Sequence, residues 1–403
     1  MPDFRKYIPF LFIFFIIASI SFAQQSDPIP SIDQAMRAQL RYIYKVGLAA
    51  GNQPSVFAKV GDSITHGKYY LWDIGCGVEV LARYQSYAPT IDFFRNTRFP
   101  DLYTTAWCGI ANSFSRDTLA AANGWTAAEP LTRFTNPLSA CPSPDNNPLR
   151  CEFRLIKPAI ALIEFGTNDL EANDPVGFRK NLNAVVQETM IDGVVPVLST
   201  IPPRLDDPVM GRRVGPYNQI IRDIAKTLQV PLWDFWAILT APGMINQGMD
   251  HLGIHPSIYN GTDSVTFTSE ALRYGFNQKN LTTLVVLKKL RAIVENKAPA
   301  DTATEPNFVI FPDPLYTTVR HGGMPIQIKI QLARVNMNNP VALSLKAAPA
   351  GISGSFVANP NGTSAILTLS VRSGVAVGRY RITVLGTSGG FVRTTTFAIK
   401  VHN

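Results

Sequence analysis

The sequence predicts an α/β domain, built on a parallel sheet with helices on both faces, followed by an all-β sandwich. Three observations predict it. Buried-type apolar runs alternate with amphipathic stretches at helical spacing from residue 32 to residue 294. The segment 297–306, Lys-Ala-Pro-Ala-Asp-Thr-Ala-Thr-Glu-Pro, is small, polar and Pro-containing, as a linker would be. Beyond it the apolar period changes to two.

The elements follow in order. Ile32, Met36, Leu40, Ile43 and Val46 recur at helical spacing, and Gly51 ends that helix. A strand over 55–60 runs into Val60-Gly61-Asp62-Ser63-Ile64-Thr65, and a second strand is expected over 104–107. Residues 159–165 read as a buried strand that ends in Gly166-Thr167-Asn168-Asp169. Phe178, Leu182, Val185 and Thr189 mark a helix closed by Gly193, and 194–201 is a continuous apolar strand. Tyr217, Ile221, Ile224 and Leu228 mark another helix, 230–235 another strand, and 280–294 a closing helix. Strand and helix alternating at this spacing require parallel strands joined by crossover helices. After the linker, Ile326 to Leu332, Val341 to Leu345, Leu367 to Val371, Tyr380 to Val384 and Phe397 to Val401 alternate apolar and polar. About seven short strands of this kind make a sandwich.

Composition bounds the function. The chain has 403 residues, 46% apolar and 16% charged, which suits globular domains with full cores. Its net charge of +8 is scattered without a Lys/Arg-rich block, which argues against nucleic-acid binding. Arg5 and Lys6 precede an apolar stretch over 8–22, and Ser21-Phe22-Ala23 fits a small-x-small cleavage site. Residues 1–23 are therefore expected to be a signal peptide, with the mature chain starting at Gln24, exported to the periplasm, the cell surface or the medium. The apolar stretch is short for a membrane span, and no span is expected after cleavage. Four cysteines, Cys76, Cys108, Cys141 and Cys151, favour two disulfides in an oxidising compartment, with three pairings open. Neither a CxxC spacing nor a nearby His pair supports a metal site.

The chemistry-bearing residues sit where the predicted strands end. Ser63 follows the first strand, Asn168 follows the strand at 159–165, and Gly253-Ile254-His255-Pro256-Ser257 places a histidine in a late turn. Ligands of such sheets bind beyond the carboxyl ends of the strands. The blocks GDSIT and FGTND, with His255, resemble the SGNH (GDSL-type) hydrolase superfamily over roughly residues 30 to 295. That resemblance implies a three-layer α/β/α domain with a flavodoxin-like sheet, here spanning 24–296, and acyl transfer on an ester without metal or organic cofactor. Ser63 would be the nucleophile, and His255 would take its proton. The Ser63 backbone N–H, the Asn168 side-chain amide and a glycine N–H would meet the oxyanion. Asn168 as a plain helix cap is the alternative. Gly109, within Cys108-Gly109-Ile110-Ala111-Asn112, is the preferred glycine, while Gly124 lies further on.

Two departures from the family pattern matter: its glycine block is not cleanly present after the second strand, and its acid partner is missing. The acid three residues before the histidine is replaced by Leu252. Asp250 could reach the imidazole if the loop curls, or a backbone carbonyl could orient it and leave a Ser–His dyad. Loss of the acid in a comparable triad costs about 10⁴ in turnover. Two functions are therefore carried forward: a serine esterase acting on an acylated carbohydrate, envelope component or small ester, and a non-catalytic surface protein that binds glycan or envelope polymer. The unit 307–403 resembles bacterial Ig-like modules through Gly378-Arg379-Tyr380-Arg381-Ile382-Thr383-Val384, for which a spacer role is the plain expectation. It has no Trp and two Tyr, Tyr316 and Tyr380, which gives little support to sugar binding.

Overall fold

In a computed structural model, residues 28–102, 104–134, 141, 147–359 and 362–403 are described. The expected leader and most of the Pro/Asn-rich loop at 142–148 lie outside them. The α/β part runs α1 (Gln34–Ala49), β1 (Gln53–Gly61), α2 (Ser63–His66), α3 (Trp72–Cys76), α4 (Ala88–Arg95), α5 (Pro148–Ile156) and β2 (Pro158–Glu164). It continues through α6 (Asp169–Ala172), α7 (Pro175–Ile191), β3 (Val195–Ser199), α8 (Pro208–Leu228), β4 (Leu232–Trp233), α9 (Phe235–Leu239) and α10 (Gly275–Val294). The four strands are parallel in the order β1-β2-β3-β4. Every residue of β2 and β3 is buried, as strands covered on both faces must be.

The edge beside β1 departs from expectation. Residues 104–107 form no strand. Residues 118–121 occupy that edge instead, with one parallel bridge, Gly61 to Ala121, and a bond from Gly61 N–H to Ala120 O of 3.1 Å. Side chains replace the missing ladder. Buried Lys59 donates to Phe114 O at 2.7 Å, and Thr118 Oγ1 donates to Lys59 O at 2.8 Å. Buried Arg116 pairs with Glu152, which also accepts from Thr118 Oγ1 and Leu119 N–H. Burial and the Arg116 charge push the Lys59 ammonium down to about 7. The disulfides Cys76–Cys108 and Cys141–Cys151 both form. The first ties α3 to the 104–109 loop.

The β part holds two four-stranded sheets. β5 (Asn307–Asp313), β7 (Ile326–Val335), β10 (Ser364–Val371) and β9 (Ile352–Ala358) make one, in the order β5-β7-β10-β9. β6 (Tyr316–Arg320), β12 (Phe391–His402), β11 (Gly378–Ser388) and β8 (Ala342–Ala347) make the other, antiparallel except where β6 runs parallel to β12. Phe308, Ile328, Leu367, Ile382, Phe397 and Ile399 close the core between them.

The segment after α10 has no regular structure, yet it is pinned: Asp301 accepts from Ile32 N–H at 2.7 Å and pairs with Lys289 at 2.7 Å. The sandwich rests on α1, where Ala35 packs with Val309 and Phe311, and on the carboxyl ends of α7 and α8, which lead into β3 and β4. Arg379 pairs with Glu188 at 2.9 Å and Asp192 at 3.3 Å, ahead of β3. Asn307 donates to Gln229, ahead of β4, while buried Arg393 donates to Asn307 Oδ1 at 2.9 Å. These contacts hold the sandwich at the amino edge of the sheet, opposite the strand ends that carry Ser63 and Asn168. Among the described residues, it contributes nothing to the cavity beside Ser63.

Candidate active site

β1 ends at Gly61, where a side chain has no room: a Cβ would meet Thr65 Oγ1 at 2.4 Å and Glu164 O at 2.6 Å. Asp62 then caps α2, its Oδ1 accepting from Ile64 N–H at 2.9 Å. Ser63 takes the first helical position, half-buried, and its backbone N–H has no acceptor among the described residues. Its hydroxyl oxygen lies 3.0 Å from His255 Nε2 across 192 residues of chain.

The histidine sits on a stapled loop. Met249 bridges Pro256, Ser257 N–H donates to Gly248 O at 2.7 Å, and Phe276 N–H donates to Ser257 O at 2.8 Å. Asp250 lines the cavity with His255 but does not hold its ring. Its Oδ1 accepts from the N–H groups of Gly253 and Ile254, at 2.8 and 3.3 Å, and its own N–H donates to His255 O at 2.8 Å. The carboxylate is thus spent on the turn, which bends at Gly253 (φ 74°). His255 Nδ1 has no hydrogen-bond partner among the described residues. Leu252 is 57% exposed at the loop tip. His66 and His251 do not line the cavity.

Asn168 and Asp169 grip a single loop. Asn168 stands at the first cap position of α6, yet its side chain makes no cap bond; Nδ2 donates to Trp125 O at 2.8 Å. One amide hydrogen remains without a partner among the described residues. Buried Asp169 accepts from Ala127 N–H at 3.2 Å. Between Trp125 and the edge segment lie Asn123 and Gly124, and both line the Ser63–His255 cavity. The Gly124 N–H bonds no described residue. Gly109 is placed otherwise: it is exposed, its N–H is used by Ala106 O at 2.9 Å, and it does not line the cavity. Gly67 and Gly124 line the cavity, whereas Gly109 and Asn168 do not; the Gly67 N–H donates to Ser63 O at 2.9 Å. Gly166, at φ 135°, lets the chain leave β2 against Ile201 and Phe178.

The cavity measures about 510 Å³, with Tyr69, Pro256, Ile258 and Phe276 supplying apolar walls and Lys68 a cationic rim. Two carboxyls near it are displaced upward. Burial, then the neighbouring Glu164 charge, pushes Asp62 up to about 7. Burial pushes Asp169 up to about 6. Both hold protons in the folded chain that the unfolded chain releases above 3.8. Their contribution is therefore full below that value and is lost as pH climbs toward 7. Thermal denaturation should show Tm falling between about pH 5 and pH 7, less steeply in Asp169→Asn. A Tm flat or rising over that window in both proteins contradicts this linkage.

A serine–histidine pair at the carboxyl edge of a parallel α/β sheet defines the class of site, one suited to nucleophilic attack by a hydroxyl. Residues 60–258, just under half of the chain, match the GDSL-like Lipase/Acylhydrolase family. No curated protein matches the chain. Among solved structures it is similar to a GDSL-like lipase from Bacteroides thetaiotaomicron, with 13% identity, 63% of this chain and 98% of that one covered, and a TM-score of 0.34. A member of the lipolytic protein G-D-S-L family from Veillonella parvula gives 14%, 58%, 98% and 0.33. TesA gives 23%, 42%, 77% and 0.30.

Proposed function

We propose that this chain is an exported SGNH-type serine ester hydrolase, with Ser63 as nucleophile and His255 as its base. The observation that carries the proposal is the 3.0 Å contact between Ser63 Oγ and His255 Nε2, made by residues from opposite ends of the domain. With Nε2 as acceptor, the imidazole takes the hydroxyl proton as Oγ attacks the ester carbonyl. The oxyanion then meets the N–H groups of Ser63 and Gly124 and the free amide hydrogen of Asn168. Each such donor contributes about 3 kcal/mol to the transition state. His255 next passes its proton to the leaving alcohol, and water enters by the same route to release the acid. The apolar walls accept the acyl group, and acylated carbohydrate or cell-envelope polymer supplies the ester. The hydrolase unit spans 24–296, the linker 297–306 and the Ig-like unit 307–403, which serves as a spacer or adhesion module. The leader pattern and the two disulfides support export.

The site works as a dyad in this reading, because Asp250 shapes the loop and Leu252 replaces the acid. That same observation favours the second reading, a binding protein on a hydrolase fold. Hydrolysis of a p-nitrophenyl acyl series by mature protein separates the two: turnover above the Ser63→Ala background supports the esterase, and rates equal to that background support binding alone. If the ring lacks an orienting acid, Leu252→Asp should raise kcat by about tenfold or more, out of the 10⁴ that a lost acid costs. An unchanged kcat would mean that the loop already fixes the tautomer.

A further inference from the structure

Three ionisable side chains from three elements are buried around the nucleophile turn, and the mechanism above uses none of them directly. Asp62 comes from the cap of α2, Glu164 from the end of β2 and Lys279 from α10; all three are buried. Gly61 pairs with Glu164 in the sheet, so the two carboxyl-bearing residues leave neighbouring strand ends. Lys279 Nζ pairs with Glu164 Oε2 and lies 4.8 Å from the ring centres of Tyr70 and Phe235 and 5.6 Å from that of Trp233. The ammonium is therefore held on one side by a carboxylate and on the others by ring faces.

The carboxyls are incompletely satisfied. Asp62 Oδ1 takes the Ile64 N–H, but among the described residues buried Asp62 Oδ2 has no partner, and neither has buried Glu164 Oε1. Unpaired buried carboxylate oxygens are costly. Two ionised carboxylates with one ammonium would also leave a net charge of −1 in the core. One proton held by the cluster removes the excess charge: with one carboxyl protonated and the Lys279 ammonium facing the other, the cluster is neutral.

We propose that Asp62, Glu164 and Lys279 hold one shared proton under Ser63, and that this proton makes them positioning residues for the nucleophile turn. The inference rests on the esterase reading for its effect on turnover, but not for the existence of the proton. Burial and the Glu164 charge raise the Asp62 carboxyl to about 7, with Lys279 opposing them and Asp169 adding to them. Above that pH the proton leaves to solvent and the cluster becomes net negative. The new charge sits one residue from the Ser63 N–H and opposes the oxyanion that this N–H would receive. Turnover should fall as pH rises through about 7. Asp62→Asn mimics the protonated state, since the amide oxygen keeps the Ile64 bond and the side chain carries no charge.

The test is carboxyl-region infrared difference spectroscopy on mature full-length protein titrated from about pH 5 to 9, with circular dichroism to check folding. A protonated-carboxyl band that disappears near pH 7, is retained in Asp169→Asn and is missing from Asp62→Asn and Glu164→Gln is expected. A band absent from the wild type, or surviving in Asp62→Asn, overturns the shared proton. With a p-nitrophenyl ester, the ratio of kcat at pH 8.5 to kcat at pH 6 should rise about threefold or more in Asp62→Asn. An unchanged ratio overturns the positioning role. Absence of hydrolysis in the wild type refutes the esterase reading, and with it the positioning role, while the infrared band still decides the proton.

Discussion

Ser63→Ala and His255→Ala should each lower kcat for a p-nitrophenyl ester by about 10⁴-fold or more, and the double variant should lose little further. The two side chains act as one unit. Without the imidazole the hydroxyl keeps its proton and is too weak a nucleophile at neutral pH; without the hydroxyl the imidazole has nothing to activate. The effect should fall on kcat, because the apolar walls of Tyr69, Ile258 and Phe276 that would hold the acyl group are untouched. Stability should hardly change, since the Ser63–His255 contact is only partly buried and the loop is stapled by backbone bonds on both sides. Equal rates in wild type and both variants would show that the observed hydrolysis arises elsewhere. Losses that simply multiply in the double variant would show that the two residues act independently.

Asn168→Ala should cost about 10²–10³-fold in kcat, as loss of one oxyanion donor does elsewhere. Two consequences combine here. The variant removes the spare amide hydrogen, and it frees Trp125 O, which anchors the loop bearing Gly124. Asn168→Asp separates them poorly, because a carboxylate would repel both the oxyanion and Trp125 O. Trp125 itself cannot be used, since the contact is to its backbone. Solvent exchange at the Trp125 and Ala127 amides, bonded to Ala122 O and Asp169, supplies the missing distinction. Exchange like that of the wild type, with kcat still reduced, assigns the loss to the donor. Greatly accelerated exchange assigns it to the loop, whose other anchor is Asp169.

Much of this site can be read from the chain because strands covered on both faces announce themselves. The runs at 55–60, 159–165 and 194–201 are mostly apolar, interrupted by Lys59, Glu164 and Ser199-Thr200, and each overlaps an observed strand. That fixed the side of the sheet on which Ser63 and Asn168 fall. The run at 230–235 proved a two-residue strand, because Asp234 breaks it by capping α9 through Ala237 N–H. The edge segment 118–121 was invisible for a different reason. It carries no alternation, being held through Lys59, Thr118, Arg116 and Glu152, whose partners are remote in sequence. Gly124, in an Asn-Gly turn just after that edge, lines the cavity, whereas Gly109 does not. Strand β5 shows no period of two, since Phe308 to Phe311 are apolar without interruption. The cluster of Asp62, Glu164 and Lys279 joins residues up to 217 positions apart, from Asp62 to Lys279, and no local spacing announces it.

The central claim is that Ser63 is a nucleophile activated by its neighbour, and covalent capture tests it most directly. Mature protein treated with an alkyl fluorophosphonate should gain one adduct per chain, mapped by peptide mass spectrometry to Ser63, with none in Ser63→Ala and a much slower reaction in His255→Ala. An unlabelled wild-type chain, or an adduct on a different residue, would contradict the account.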